Sequence, residues 1–139
     1  MSRVWAAVPL AVIFAAVVSG CSGSNDSPSS PSSGDRSFSS DVQPIFTANC
    51  SAATCHGLAE SEGLRLTEGN AYGELVNVPS TQNPNIMRIL PSRSDSSYLL
   101  MKVGPNPPQG DRMPRNAAPL SSSNIATIAD WVDEGAENN

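Results

Sequence analysis

Cys50-Ser51-Ala52-Ala53-Thr54-Cys55-His56 concentrates the chemistry of this chain. Two thiols stand five positions apart, and the one histidine follows the second directly. For three cysteines and one histidine, chance gives such an arrangement about once in a thousand, so accident explains it poorly. Thiols followed at once by an imidazole suit covalent haem attachment. The sulfurs of Cys50 and Cys55 form thioethers to the two vinyl groups, and His56 is then held beneath the ring centre as proximal iron ligand. The usual spacing places two residues between the cysteines; here there are four. The two extra residues must bulge outward, and Ser51, Ala52, Ala53 and Thr54 are small enough to do so.

Three other chemistries compete for these residues. A Cys50–Cys55 disulfide suits an exported protein but leaves the placement of His56 unexplained. A structural zinc site needs four ligands, and only three stand together. A catalytic cysteine–histidine pair lacks an orienting partner. An iron with both axial positions filled needs a sixth ligand, and no second histidine exists. Met101 sits at helical spacing beside Leu99 and Leu100 and reads as core. Met87 lies in an apolar run and reads as packing. Met113 precedes Pro114 in a proline-rich loop, and a loop can present a thioether to an open iron face. Met113 is the candidate distal ligand; Lys102 as ligand, or an open sixth position, are the alternatives. Arg88, Arg93 and Arg112 are candidates to pair with haem propionates, against a plain solvated role for each.

The elements that must position these groups are short. Ser40 and Gln43 fit a capping box, Pro44 falls in a first turn, and Val42, Ile45 and Phe46 share a face, so a helix is expected over residues 40–50. Tyr72, Leu75 and Val76 suggest a second helix over 70–78, weakened by Gly73. Residues 86–90 read as extended or irregular. A helix capped by Ser94 is expected over 94–103, stopped by Gly104-Pro105. Residues 104–119 hold five prolines and two glycines and must be loop. The clearest helix spans 121–132, capped by Ser121, with Ile125, Ile128, Ala129 and Val132 in one stripe and Gly135 at its end. No strand alternation and no internal repeat are visible. Only five aromatics follow residue 37, a thin core for a small domain, which a haem would help to fill. Phe46 and Trp131 are expected to pack together, against the ring, or simply within the core.

Residues 1–20 read as an address. Arg3 precedes 15 uncharged residues from Val4 to Val18, short for a bilayer span but suited to a signal segment. The sequence Val18-Ser19-Gly20-Cys21 resembles the bacterial lipoprotein signal, which implies cleavage before Cys21 and its lipidation. An ordinary secretory signal is the alternative, and both export the chain. Residues 21–37 are rich in Ser, Pro and Gly and read as a tether with a reach of about 20–24 Å. The domain then runs over 38–139.

At this point the chain resembles monohaem cytochrome c domains of the planctomycete-type subgroup, found in exported bacterial proteins. The stretches that carry the resemblance are DVQPIFTANC, CSAATCHG, RILPSRSDSSYLLMKV and DRMPRNAAPLSSSNIATIADWVDEGA, spanning about 38–136. The resemblance implies an all-α, small cytochrome c-like helical domain around one covalent haem c. It implies thioethers at Cys50 and Cys55, His56 as proximal ligand and Met113 as distal ligand. Two departures stand out: the longer spacing between the cysteines, and Asn124 where related domains often carry an acidic residue.

The function expected is one-electron transfer, without substrate turnover, by a lipoprotein facing the periplasm or cell surface. Its expected partners are redox donor and acceptor proteins, and the membrane through Cys21. A haem enzyme or sensor with an open sixth site, and a non-haem disulfide-bonded lipoprotein module, are the alternatives. Composition excludes other classes. Charged residues make up 15%, the net charge is −5, and no basic stripe exists for nucleic acid. The phosphate-binding and dinucleotide glycine patterns are absent, and a single histidine rules out any site needing two imidazoles from one chain.

Overall fold

Ser37 opens the fold. Its hydroxyl accepts the Ser40 N–H at 3.2 Å, and its own N–H donates to the Asp41 carboxylate at 2.8 Å. The cap therefore lies three residues ahead of the expected Ser40. The reason is Phe38, whose buried ring draws the chain into a π-helical turn, Phe38–Val42, that runs straight into helix α1, Gln43–Asn49. Gln43 is consequently not a capping residue. It is buried, and its amide donates to Leu66 O at 3.1 Å.

The computed structural model describes residues 36–139. The leader expected at 1–20, the anchor expected at Cys21 and nearly all of the tether lie outside the described residues. The last two residues assigned to the tether belong to the fold: Arg36 N–H donates to Glu134 at 2.9 Å, and Ser37 caps. Asn139 closes the other end of the chain onto the same place, accepting from Phe38 N–H at 2.8 Å and Ser39 N–H at 2.9 Å.

Three further helices follow: α2 (Ala71–Leu75), α3 (Tyr98–Val103) and α4 (Ser122–Asp133). Short 3-10 turns form at Ser61–Gly63 and Ser94–Ser96. Among the described residues every regular element is helical, and the only β pairing is two isolated bridges, Val76 with Ile89 and Pro79 with Met87. The all-α expectation holds at this level. The 70–78 helix is shorter than expected because Val76 leaves it in extended conformation to meet Ile89. The 94–103 helix is broken at Ser97. The buried Ser97 hydroxyl donates to Arg93 O at 2.8 Å and accepts Leu90 N–H at 2.9 Å, an alternative to helical pairing. Ser94 bonds Asp133 of α4 instead of capping.

Helix α4 matches expectation. Ser121 accepts the Asn124 N–H at 3.1 Å, and Ile128, Trp131 and Val132 are buried. Its end is a Schellman turn: Ala136 N–H reaches Trp131 O, Gly135 N–H reaches Val132 O, and Gly135 has φ of 116°. Four of the five aromatics form one cluster around Phe38, with ring centroids 5.1 Å to Trp131, 5.3 Å to Tyr72 and 6.4 Å to Phe46. Edge and tilted contacts of this kind add to plain burial. Among the described residues no helix is long and apolar enough to cross a membrane.

Candidate functional site

Helix α1 ends at Cys50, whose N–H still bonds Phe46 O at 2.8 Å. The chain then coils tightly through the cysteine–histidine stretch. His56 N–H returns to Cys50 O at 3.2 Å, and both Cys55 and Gly57 donate to Ala52 O, at 2.8 and 3.1 Å. Ala52, Ala53 and Thr54 are exposed, so the residues between the cysteines project outward. Gly57 is buried against this coil. A Cβ there would lie 2.5 Å from Ser51 O and 2.8 Å from Ala52 O, so no other residue fits without moving the backbone.

His56 is half-buried, with Nδ1 3.3 Å from Leu64 O. A carbonyl only accepts, so this contact puts the ring proton on Nδ1 and leaves the Nε2 lone pair free for a metal. The Leu64 carbonyl is held by its neighbours. Arg88 donates from Nη2 to Glu62 O at 3.3 Å and Gly63 O at 2.9 Å, and from Nη1 to Glu74 O at 2.9 Å. Arg88 thus braces the loop that orients His56.

These residues face a cleft of about 700 Å³, counted with its open mouth. Its walls are apolar: Phe46 from α1, Leu64, Leu66, Leu75, Leu99, Val103 and Leu120. Cys50, His56 and Met113 line the same cleft, the first two from the 50–56 coil and the third from the proline-rich loop. Met87 and Met101 do not line it. Cys55 is exposed beside the cleft rather than in its lining. Polar side chains also line the cleft, Glu62, Ser80, Thr81, Gln82, Arg88, Tyr98 and Lys102, with Tyr98 OH donating to Gln82 Oε1 at 2.9 Å.

The structure places the three arginines expected near propionates differently. Arg93 is exposed and bonds Asp95 and Ser96, away from the cleft. Arg112 does not line the cleft either. Arg88 does line it, but its guanidinium is engaged with three backbone carbonyls. The hydroxyls of Ser80, Thr81 and Tyr98 were missed from the sequence, and nothing in their local pattern distinguishes them. Lys102, weighed as a ligand, also lines the cleft. Its ammonium instead donates to Gln109 O and Asp111 O, both at 2.7 Å. Trp131 stands in the aromatic cluster, away from the lining; Phe46 touches both.

Burial, aided by the nearby Cys55 sulfur, pushes the Cys50 thiol up to about 11. Thiolate is the reactive form. In haem-free protein at pH 8, iodoacetamide is therefore expected to alkylate exposed Cys55 at least about tenfold faster than Cys50. Cys50 labelling should climb with pH until about 11, as peptide mass spectrometry would follow.

Among the described residues no three His, Cys, Asp or Glu side chains cluster as a metal-ion site. A scan against family models and searches of the curated proteins and of the solved structures found no match.

Proposed function

We propose that the protein is a one-electron carrier of the monohaem cytochrome c type, with one haem c in the cleft. The observation that carries this reading is the convergence of Cys50, His56 and Met113 on one apolar cleft. The residues fit the group in three respects. The cleft lining combines many apolar side chains with several polar ones, as a porphyrin with two carboxylates requires. His56 has the tautomer of a metal ligand, fixed by Leu64 O. Met113 supplies the one thioether in the lining, among the described residues.

Haem, when bound there, supplies the change of iron oxidation state, and His/Met ligation sets a comparatively high potential. The chain supplies the rest. Cys50 and Cys55 would hold the group covalently through their sulfurs. His56 and Met113 would hold the iron, and with both bound to it no position would remain for a substrate, as a carrier rather than an enzyme requires. Phe46, Leu66, Leu75 and Val103 exclude water. Ser80 offers a hydroxyl to the propionates, while those of Thr81 and Tyr98 are donated to Glu62 O and Gln82 Oε1. The leader and Cys21 would place this domain on the outer side of a bacterial membrane, on a tether that lets it turn between a donor and an acceptor protein. Residues 38–139 carry six basic and eleven acidic side chains, which favours partners with a basic docking face.

The test is expression in a host competent for cytochrome c maturation. Intact mass should rise by one haem, resistant to denaturing extraction, and tryptic fragments should place it on Cys50 and Cys55. Colourless protein of unmodified mass overturns the reading.

A further inference from the structure

Residues 104–119 carry Met113 to the cleft, yet they contain five prolines and little that could hold them. Prolines lack the N–H that would let such a loop fold on itself. Beyond the Gly104 N–H that ends α3, the hydrogen bonds of residues 105–119 among the described residues number three, and all involve Lys102. Its Nζ donates to Gln109 O and to Asp111 O at 2.7 Å, and its carbonyl accepts the Met113 N–H at 2.8 Å. Gly110 sits between the two gripped carbonyls at φ of 62°, a turn that aims both at one nitrogen. A Cβ on Gly110 would lie 3.8 Å from Nζ, so the chain wraps closely about the ammonium. Lys102 is itself anchored, 8% exposed on α3, with its neighbour Val103 in the core.

We propose that Lys102 is the positioning residue of this site, a latch that sets the place of the Met113 thioether. This rests on the haem reading for its purpose, but not for its mechanics. Charge-assisted bonds to two carbonyls are stronger than neutral ones, and the third bond fixes the backbone of Met113 itself. With the latch in place, the methionine is held at the cleft without any element of regular structure beneath it. Without it, the loop is tied only at its ends, and the sulfur samples many positions.

The experiment uses the full chain, with and without haem, as wild type, Lys102→Met, Lys102→Arg and Gly110→Ala. Lys102→Met keeps the aliphatic stem and removes the donors. Backbone hydrogen exchange at Met113 should speed up by about tenfold or more in Lys102→Met, while the Trp131 amide in α4 stays unchanged. In haem-loaded protein the methionine–iron charge-transfer band should weaken and carbon monoxide should bind. Lys102→Arg, whose guanidinium can span both carbonyls, should restore much of both. Gly110→Ala, strained at its positive φ, should loosen Met113 in the same direction and serves if Lys102→Met does not fold.

Wild-type exchange at Met113 in both Lys102→Met and Gly110→Ala overturns the latch. So does acceleration spread equally over α4, which marks a general loss of stability. If no haem attaches to wild type, the haem reading falls, and exchange at Met113 alone decides the latch.

Discussion

Replacing Cys50 and Cys55 together by serine is expected to yield haem-free protein that is at least about 4 kcal/mol less stable than the loaded form. For a domain of this size that corresponds to a melting temperature lower by about 15 °C or more. The cause is the position of the cleft. It is walled by Phe46, Leu66, Leu75 and Val103, which are also members of the hydrophobic core. These four side chains are already buried, so a ligand filling this space adds packing contacts to them, and two thioethers keep it there at any dilution. Losing it removes those contacts and leaves space in the cleft that protein atoms do not fill. Serine at the half-buried Cys50 position adds a smaller cost of its own. Wild-type chain made without maturation machinery separates the two effects. It should share the low melting temperature, whereas the serine exchange alone should account for no more than about 1–3 kcal/mol. Equal stability of loaded wild type and the double variant in urea denaturation would remove the haem from any role in the core.

How much of this was legible beforehand depends on how local each signal is. The cysteine–histidine stretch lies within seven residues, so its spacing alone singles it out. Met113 stood out because Pro114 and the surrounding prolines mark a loop, and the cleft then separates it from Met87 and Met101. Helix α4 was legible in full because stripe, cap and terminal glycine agree. The start of α1 was not. Ser37 and Ser40 offer similar caps, and the choice between them is made by burial of Phe38, a tertiary effect. The roles of Arg88 and Lys102 were hidden for a different reason. Both side chains end on backbone carbonyls: Glu62, Gly63 and Glu74 for one, Gln109 and Asp111 for the other. A carbonyl belongs to every residue and leaves no mark in the sequence. Basic side chains were therefore read as partners for propionates, when two of the three expected arginines stand clear of the cleft and the third braces a loop.

Met113→Ala in haem-loaded protein should leave the covalent attachment intact and change the iron. The methionine–iron charge-transfer band of the oxidised protein should vanish, and the reduced protein should bind carbon monoxide. The reduction potential should fall by roughly 0.1–0.3 V, part of the approximately 0.8 V range that axial ligands command. Thioether ligation favours the reduced iron, so its loss favours the oxidised form and the sign is downward. The structure also sets the controls. Met87 and Met101 do not line the cleft, so their alanine variants should keep the wild-type spectrum and potential. Lys102 does line it, and a spectrum unchanged in Met113→Ala would transfer the sixth position to that amine or show that it was never filled by sulfur. The half-buried Met113 side chain packs against the core, so some destabilisation, about 1–2 kcal/mol, should accompany the spectral change. That loss is common to any truncation, whereas the band, the carbon monoxide affinity and the potential respond only to what occupies the iron. A carrier needs both axial positions closed, so carbon monoxide binding to the wild type at the rate of the variant would turn the reading toward a sensor or an enzyme.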